Sequence, residues 1–128
     1  MENKAGHNQN RSTIGKRIAS FGFAVNGIIQ AVKSQPNFRI HLLIMALVVF
    51  AGFYLNISLR EWTCVIFAIG LVLVAELFNT AIETLTDLVS PDYHEKAGKT
   101  KDYAAGAVLV AAITAAVIGL VIFIPKLL

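Results

Sequence analysis

The chain alternates between apolar runs and short polar breaks, and the breaks divide it into four segments. From Ile14 to Val32 the apolar positions Ile14, Ile18, Phe21, Val25, Ile28 and Val32 recur every three or four residues. Lys16, Arg17, Asn26, Gln30 and Lys33 fall between them. This predicts an amphipathic helix over 14–33, basic at both ends and suited to the headgroup region of a membrane. A soluble helix packed on a core would show the same pattern, but the rest of the chain offers no soluble core to receive it.

Pro36 separates that helix from the next. Residues 40–59 carry no charge apart from a protonatable His41. About 20 residues at 1.5 Å each span a hydrocarbon layer of roughly 30 Å. Asn56-Ile57-Ser58 makes a short turn; it is also a glycosylation sequon, which a tight turn between spans seldom presents. A second span, 61–89, starts at Glu61-Trp62 with Trp62 as an interfacial anchor. The polar loop Ser90–Asp102 follows, and a third span over 102–124 closes at Pro125-Lys126. Within it Ala107, Ala111, Ala115 and Gly119 place a small side chain at every fourth position, which lets another helix approach closely.

The pattern therefore predicts an all-α integral membrane protein with a surface helix and three transmembrane helices. Composition agrees: 56% of the 128 residues are apolar and only 15% charged. The length suits one domain, 14–128, after a polar N-terminus over 1–13 that is expected to be disordered. That N-terminus has no apolar stretch and cleavage site of the kind a signal peptide needs. A net charge of +3 gives no reason to expect nucleic acid as a partner. The single cysteine, Cys64, allows no disulfide within the chain, and no Cys/His metal spacing is present.

The position of the charges adds orientation. Lys4, Arg11, Lys16, Arg17, Lys33 and Arg39 precede the first span, and Lys96, Lys99 and Lys101 lie between the second and third. Only Arg60 and Lys126 fall on the opposite side. The positive-inside rule then puts the N-terminus and the 90–102 loop in the cytoplasm and the C-terminus outside.

The candidate chemistry lies in the cytoplasmic half of the second span. At about 100° per residue, Glu76, Asn79, Glu83 and Asp87 share a stripe of about 80°. Asp87 and Glu83 could simply reach the headgroups. Glu76 lies within the apolar stretch, where an ionisable group costs at least about 2.5 kcal/mol and marks a functional site. Such a stripe serves either a transporter or a membrane enzyme in which one carboxylate takes a proton and others hold a metal–nucleotide. Three spans are few for transport, and no charge in the first or third span continues a relay. The loop, by contrast, brings Asp92, Tyr93, His94, Lys101 and Asp102 to the inner end of the stripe. Lysines beside carboxylates suit a phosphate chain with Mg²⁺. Gly98-Lys99-Thr100 imitates the tail of a P-loop, but Tyr93 stands where the motif needs Gly and no strand precedes it.

With these residues in place, the chain resembles the small prokaryotic diacylglycerol kinases, which include the undecaprenol kinases. The resemblance covers nearly everything after residue 14. It rests on Ala75-Glu76-Leu77-Phe78-Asn79-Thr80-Ala81-Ile82-Glu83 followed by Asp87, and on Lys101-Asp102 followed by Ala104–Val108. It implies a homotrimer in the bacterial cytoplasmic membrane that transfers the γ-phosphate of ATP, with Mg²⁺ as cofactor, to a lipid hydroxyl. It also implies roles. Glu76 matches the general base, Glu83 a metal and nucleotide ligand, and Asn79 and Asp87 polar residues that shape the site. Lys16, Phe23, Gln35, Asp92, Tyr93, His94, Lys101 and Asp102 match nucleotide-contacting positions, and Phe38 and Arg39 lie with Glu76 on the lipid side. The family places a glutamate as second metal ligand three residues before the Phe of the Asn37-Phe38-Arg39 segment, where this chain has Gln35. Its amide offers a carbonyl oxygen without the charge. The segments Asn37–His41 and Ile124–Lys126 look more like the undecaprenol-kinase branch. Outside enzymes, the alternative is a small membrane transport or assembly subunit.

Overall fold

The computed structural model describes residues 13–128, and the segment expected to be disordered lies, except for Thr13, outside them. Lys4 and Arg11, used for orientation, lie outside them too. Four helices make up the described chain: α1 (Thr13–Ser34), α2 (Pro36–Tyr54), α3 (Leu59–Val89) and α4 (Glu95–Leu127). Contacts divide them into two units, one ending at Ser34 and the other running from Gln35 to Leu128. In the first unit α1 is a single helix whose apolar residues Ile14, Ile18, Phe21 and Val25 are exposed.

In the second unit, α2, α3 and α4 are each long and apolar enough to cross a membrane. Their ends follow local chemistry rather than hydropathy alone. Pro36 opens α2 instead of merely separating it from α1, because a proline at the first helical position gives up no hydrogen bond and presets φ. α2 stops at Tyr54, five residues before the expected 59, because Asn56 turns the chain with φ 48°, a conformation Asn tolerates. α3 then starts on a capping box. Ser58 Oγ accepts from the Glu61 N–H at 3.3 Å, and Glu61 Oε2 accepts from the Ser58 N–H at 2.6 Å.

The largest departure from the expected outline lies after α3. The polar stretch 90–102 is a loop only over Ser90–His94, and α4 begins at Glu95. His94 caps it, its Nδ1 accepting from the Lys96 N–H at 3.2 Å. A Glu95–Lys99 pair at 2.6 Å supports the first turns. At the other end α4 continues through Pro125 to Leu127, since a proline so close to a C-terminus leaves the earlier turns intact.

α3 packs along α4, and α2 meets α3 over a shorter stretch. In lipid, apolar burial supplies little drive between helices, so close van der Waals fit must carry the packing. Small residues allow it: Ala68 of α3 and Ala104 and Ala111 of α4 are buried. The small-residue stripe therefore meets a helix of its own chain at Ala111, while Ala107 stays exposed. A buried apolar cluster gathers Ile57, Val65 and Ile122, with Val48, Trp62, Ile118 and Phe123 against it. Trp62 is not simply an interfacial anchor. Its ring lies 4.8 Å from that of Phe53, over Gly52, and clasps the turn between α2 and α3.

Candidate active site

One face of α3 carries both the packing and the site. Val65, Ala68 and Val72 are buried along it, and the same face continues into Glu76, Asn79, Glu83 and Asp87. At 3.6 residues per turn all seven fall within an arc of about 100°. Where a fourth apolar residue would complete the seam, the chain places Glu76, and only 3% of that residue is exposed. A buried carboxylate needs a partner. It has one: His41 Nε2 of α2 lies 3.1 Å from Glu76 Oε1. The sequence pattern gives His41 no role and leaves the first span without a charge to add to the stripe. His41 corrects that. The one signal available was that, apart from Tyr54 at its end, it is the sole ionisable side chain of α2 beyond Arg39.

One turn further on, Asn79 Nδ2 donates to Glu83 Oε1 at 3.2 Å. Asn79 Oδ1 is buried without a hydrogen-bond partner among the described residues, as is Thr80 Oγ1. A buried carbonyl oxygen left unpaired is costly and needs an explanation. Beyond it the half-exposed Lys101 of α4 forms an ion pair with Asp87, which links the start of α4 to the end of α3.

Glu76 with His41, Asn79 with Glu83, and Asp87 with Lys101 are thus brought together. The other expected site residues are more dispersed. The Asp92 carbonyl accepts from Ser90 Oγ at 3.1 Å, Tyr93 is 93% exposed, His94 serves as the α4 cap, and Asp102 is exposed. Gln35 is half-buried at the N-cap of α2, and its side chain makes no capping bond. Phe38 is buried and Arg39 exposed. Lys16 and Phe23 are exposed on α1, in the other unit.

Among the described residues no three His, Cys, Asp or Glu side chains gather as a metal cluster. Mg²⁺ does not require one, because it binds through one or two carboxylates with phosphates and waters. The unpaired Asn79 Oδ1 beside the Glu83 carboxylate is a hard-oxygen donor set of that kind. On the opposite side of Glu76 from these groups, a cavity of about 250 Å³ runs between α2, α3 and α4. His41 stands on its wall with Ile44, Met45, Val48, Val72 and Ala115. Along α3 the buried carboxylate lies between this apolar cavity, which reaches Val72 and Leu73, and the oxygens of Asn79 and Glu83.

The family profile of prokaryotic diacylglycerol kinase matches residues 22–123. The chain belongs to that family. It is 38% identical over 117 residues to an undecaprenol kinase of Bacillus subtilis, which covers 91% of this chain and 95% of that protein. A diacylglycerol kinase of Synechocystis is 40% identical over 112 residues, 87% of this chain and 64% of the relative. The diacylglycerol kinase of Escherichia coli is 30% identical over 100 residues, 78% and 82% of the two chains. The span matched by the family takes in the paired residues of the site and leaves Lys16 outside.

Proposed function

We propose that this chain is an ATP-dependent lipid kinase, and that it phosphorylates undecaprenol in preference to diacylglycerol. The observation that carries the reading is Glu76, buried on the packing face of α3, with apolar space on one side and the Asn79–Glu83 oxygens on the other. A lipid alcohol has an apolar body and one reactive hydroxyl, and this site is divided in the same way. Family membership and relatives named as kinases of both alcohols support the reaction class. The greater coverage of the undecaprenol kinase favours the first substrate.

In this reading Glu76 is the general base. It accepts the proton of the lipid hydroxyl as that oxygen bonds to the γ-phosphorus, and the β–γ bridging oxygen leaves with ADP. Glu83, the Asn79 carbonyl and the Gln35 amide would hold Mg²⁺, which when bound supplies positive charge against the phosphate oxygens. Lys101 and its partner Asp87, with Asp92, Tyr93, His94 and Asp102, face the nucleotide. The enzyme works as a homotrimer in the bacterial cytoplasmic membrane, with α1 lying on its surface. The excess of Lys and Arg before α2 and after α3 supports a cytoplasmic N-terminus.

One assay tests this directly. Detergent-purified protein is incubated with γ-labelled ATP, Mg²⁺ and each lipid alcohol separately. Label should enter undecaprenol faster than diacylglycerol. Label in neither would refute the kinase reading, and a reversed ratio would refute the substrate preference.

A further inference from the structure

We infer that His41 is a positioning residue for proton transfer: its Nε2–H holds Glu76 Oε1 and leaves Oε2 as the oxygen that meets the lipid hydroxyl. The inference rests on the lipid-kinase reading above and adds a residue to which that reading gives no role. The geometry is specific. Glu76 is the one buried charged residue among those described, and His41 Nε2 is 3.1 Å from it, with the His41 side chain itself 20% exposed. No titratable side chain of α4 lies between Tyr103 and Lys126, so that helix offers no substitute. On α3 the nearest polar groups of the stripe, Asn79 and Glu83, bond to each other.

A glutamate carries its carboxylate on a flexible stem, and a reacting group must be held to about 0.5 Å and 10–20° to be useful. Anchoring one oxygen from a second helix does this. His41 also stands on the cavity wall with Ile44, Met45 and Val48, on the same face of α2. His41 therefore touches both the cavity wall and the carboxylate, so an alcohol entering from the cavity passes the anchor before it meets Oε2. During transfer the substrate O–H bond breaks and its oxygen bonds to the γ-phosphorus. The proton passes to Glu76 Oε2, and the electron pair of the bridging P–O bond leaves on ADP. His41 keeps its proton throughout. A histidine that merely satisfies a buried carboxylate would matter for folding alone.

The experiment uses the full chain in detergent micelles with MgATP and lipid alcohol. His41→Leu should lower kcat by roughly 10–100-fold, the range for partners that orient a reacting group. KM for both substrates should stay within about twofold. His41→Gln, whose amide N–H can occupy the place of Nε2–H, should recover most of the lost kcat. A Leu variant with wild-type kcat, in an enzyme whose wild type is active, would overturn the inference and leave the kinase reading standing. A wild type that labels no alcohol would instead overturn that reading and this role with it. A second measurement needs no turnover. In ¹⁵N-histidine spectra the Nε2 signal that disappears in His41→Gln should shift in Glu76→Gln, and a signal that does not move would rule out the anchor.

Discussion

At the N-terminal end of α3, Ser58, Glu61 and Lys126 answer one another. Glu61 accepts from the Ser58 N–H and lies 3.3 Å from Lys126 Nζ, so both its neighbours hold it in place. In the C-terminal half of the same helix the polar groups outnumber their partners. Glu83 has the Asn79 amide, while Asn79 Oδ1 and Thr80 Oγ1 are buried with no partner among the described residues. The buried apolar cluster of Ile57, Val65 and Ile122 also belongs to the first region, whereas Glu76 interrupts the packing face in the second. A glutamate whose bonds are complete closes a helix end. A glutamate beside unpaired oxygens is ready for something the chain does not itself supply. Polar groups assembled at a cost in stability, and left unsatisfied, are what a binding or catalytic site requires.

The sharpest way to break the comparison is at Glu76. Glu76→Gln keeps the shape and the contact with His41 but removes the base. Turnover of the lipid alcohol should fall about 10²–10⁴-fold, while the unfolding midpoint in detergent changes little. Full turnover in a purified variant would end the assignment of Glu76 as base. Next in size is Glu83. Losing one charge about 4 Å from a cation costs about 1–4 kcal/mol, so Glu83→Gln should raise the Mg²⁺ concentration needed for half-maximal activity about fivefold or more. Gln35→Glu should move that requirement the opposite way by restoring a negative charge. A Mg²⁺ titration indifferent to both changes would remove these residues from the metal site.

The stripe of Glu76, Asn79, Glu83 and Asp87 was legible in the sequence because helical phase is local: about 100° per residue puts these positions on one face whatever surrounds them. The three spans were legible for a similar reason, since their apolar runs are long. What was not legible depends on how helices meet. The His41–Glu76 contact joins α2 to α3 and requires a particular rotation of each about its axis. Residues 95–101 looked like loop because they are polar, but a polar helix extending beyond the apolar layer has the same composition. Its start is a histidine cap rather than a Ser, Thr, Asp or Asn. Whether Asn79 Oδ1 finds a partner is likewise a matter of three-dimensional surroundings. Trp62 has the composition of an interfacial anchor, and only the turn at Asn56 brings Gly52 beneath it.

Gly52 sharpens the contrast from the structural side. A Cβ there would lie 2.8 Å from Trp62 Cη2 and 2.9 Å from Cζ2. The indole is rigid and backed by Phe53, so it cannot simply swing away. Gly52→Ala should therefore destabilise the fold by about 1–3 kcal/mol, the usual cost of overpacking. A lower unfolding midpoint with unchanged kcat per folded molecule is the expected result. A kcat loss larger than the loss of folded protein would mean that the two regions of α3 are coupled.

The smallest effect belongs to the cap. Ser58→Ala leaves the Glu61 N–H without its side-chain acceptor and should cost about 1 kcal/mol. The loss is expected at the lower end of the usual 0.5–2 kcal/mol range, because the other half of the box does not depend on the hydroxyl. The Ser58 N–H still donates to Glu61 Oε2, and Lys126 still lies against the same carboxylate. Removing Lys126 as well should add about as much as a surface ion pair does, no more than about 1 kcal/mol, because both side chains keep about a quarter of their surface in contact with solvent. Paired unfolding and activity measurements on Ser58→Ala then compare the two regions at their quietest point. A midpoint that drops slightly with kcat and Mg²⁺ requirement unchanged fits a capping role. A shifted Mg²⁺ requirement would mean that the completed bonds of Ser58 and Glu61 help to hold the oxygens of Asn79 and Glu83, more than four helical turns away.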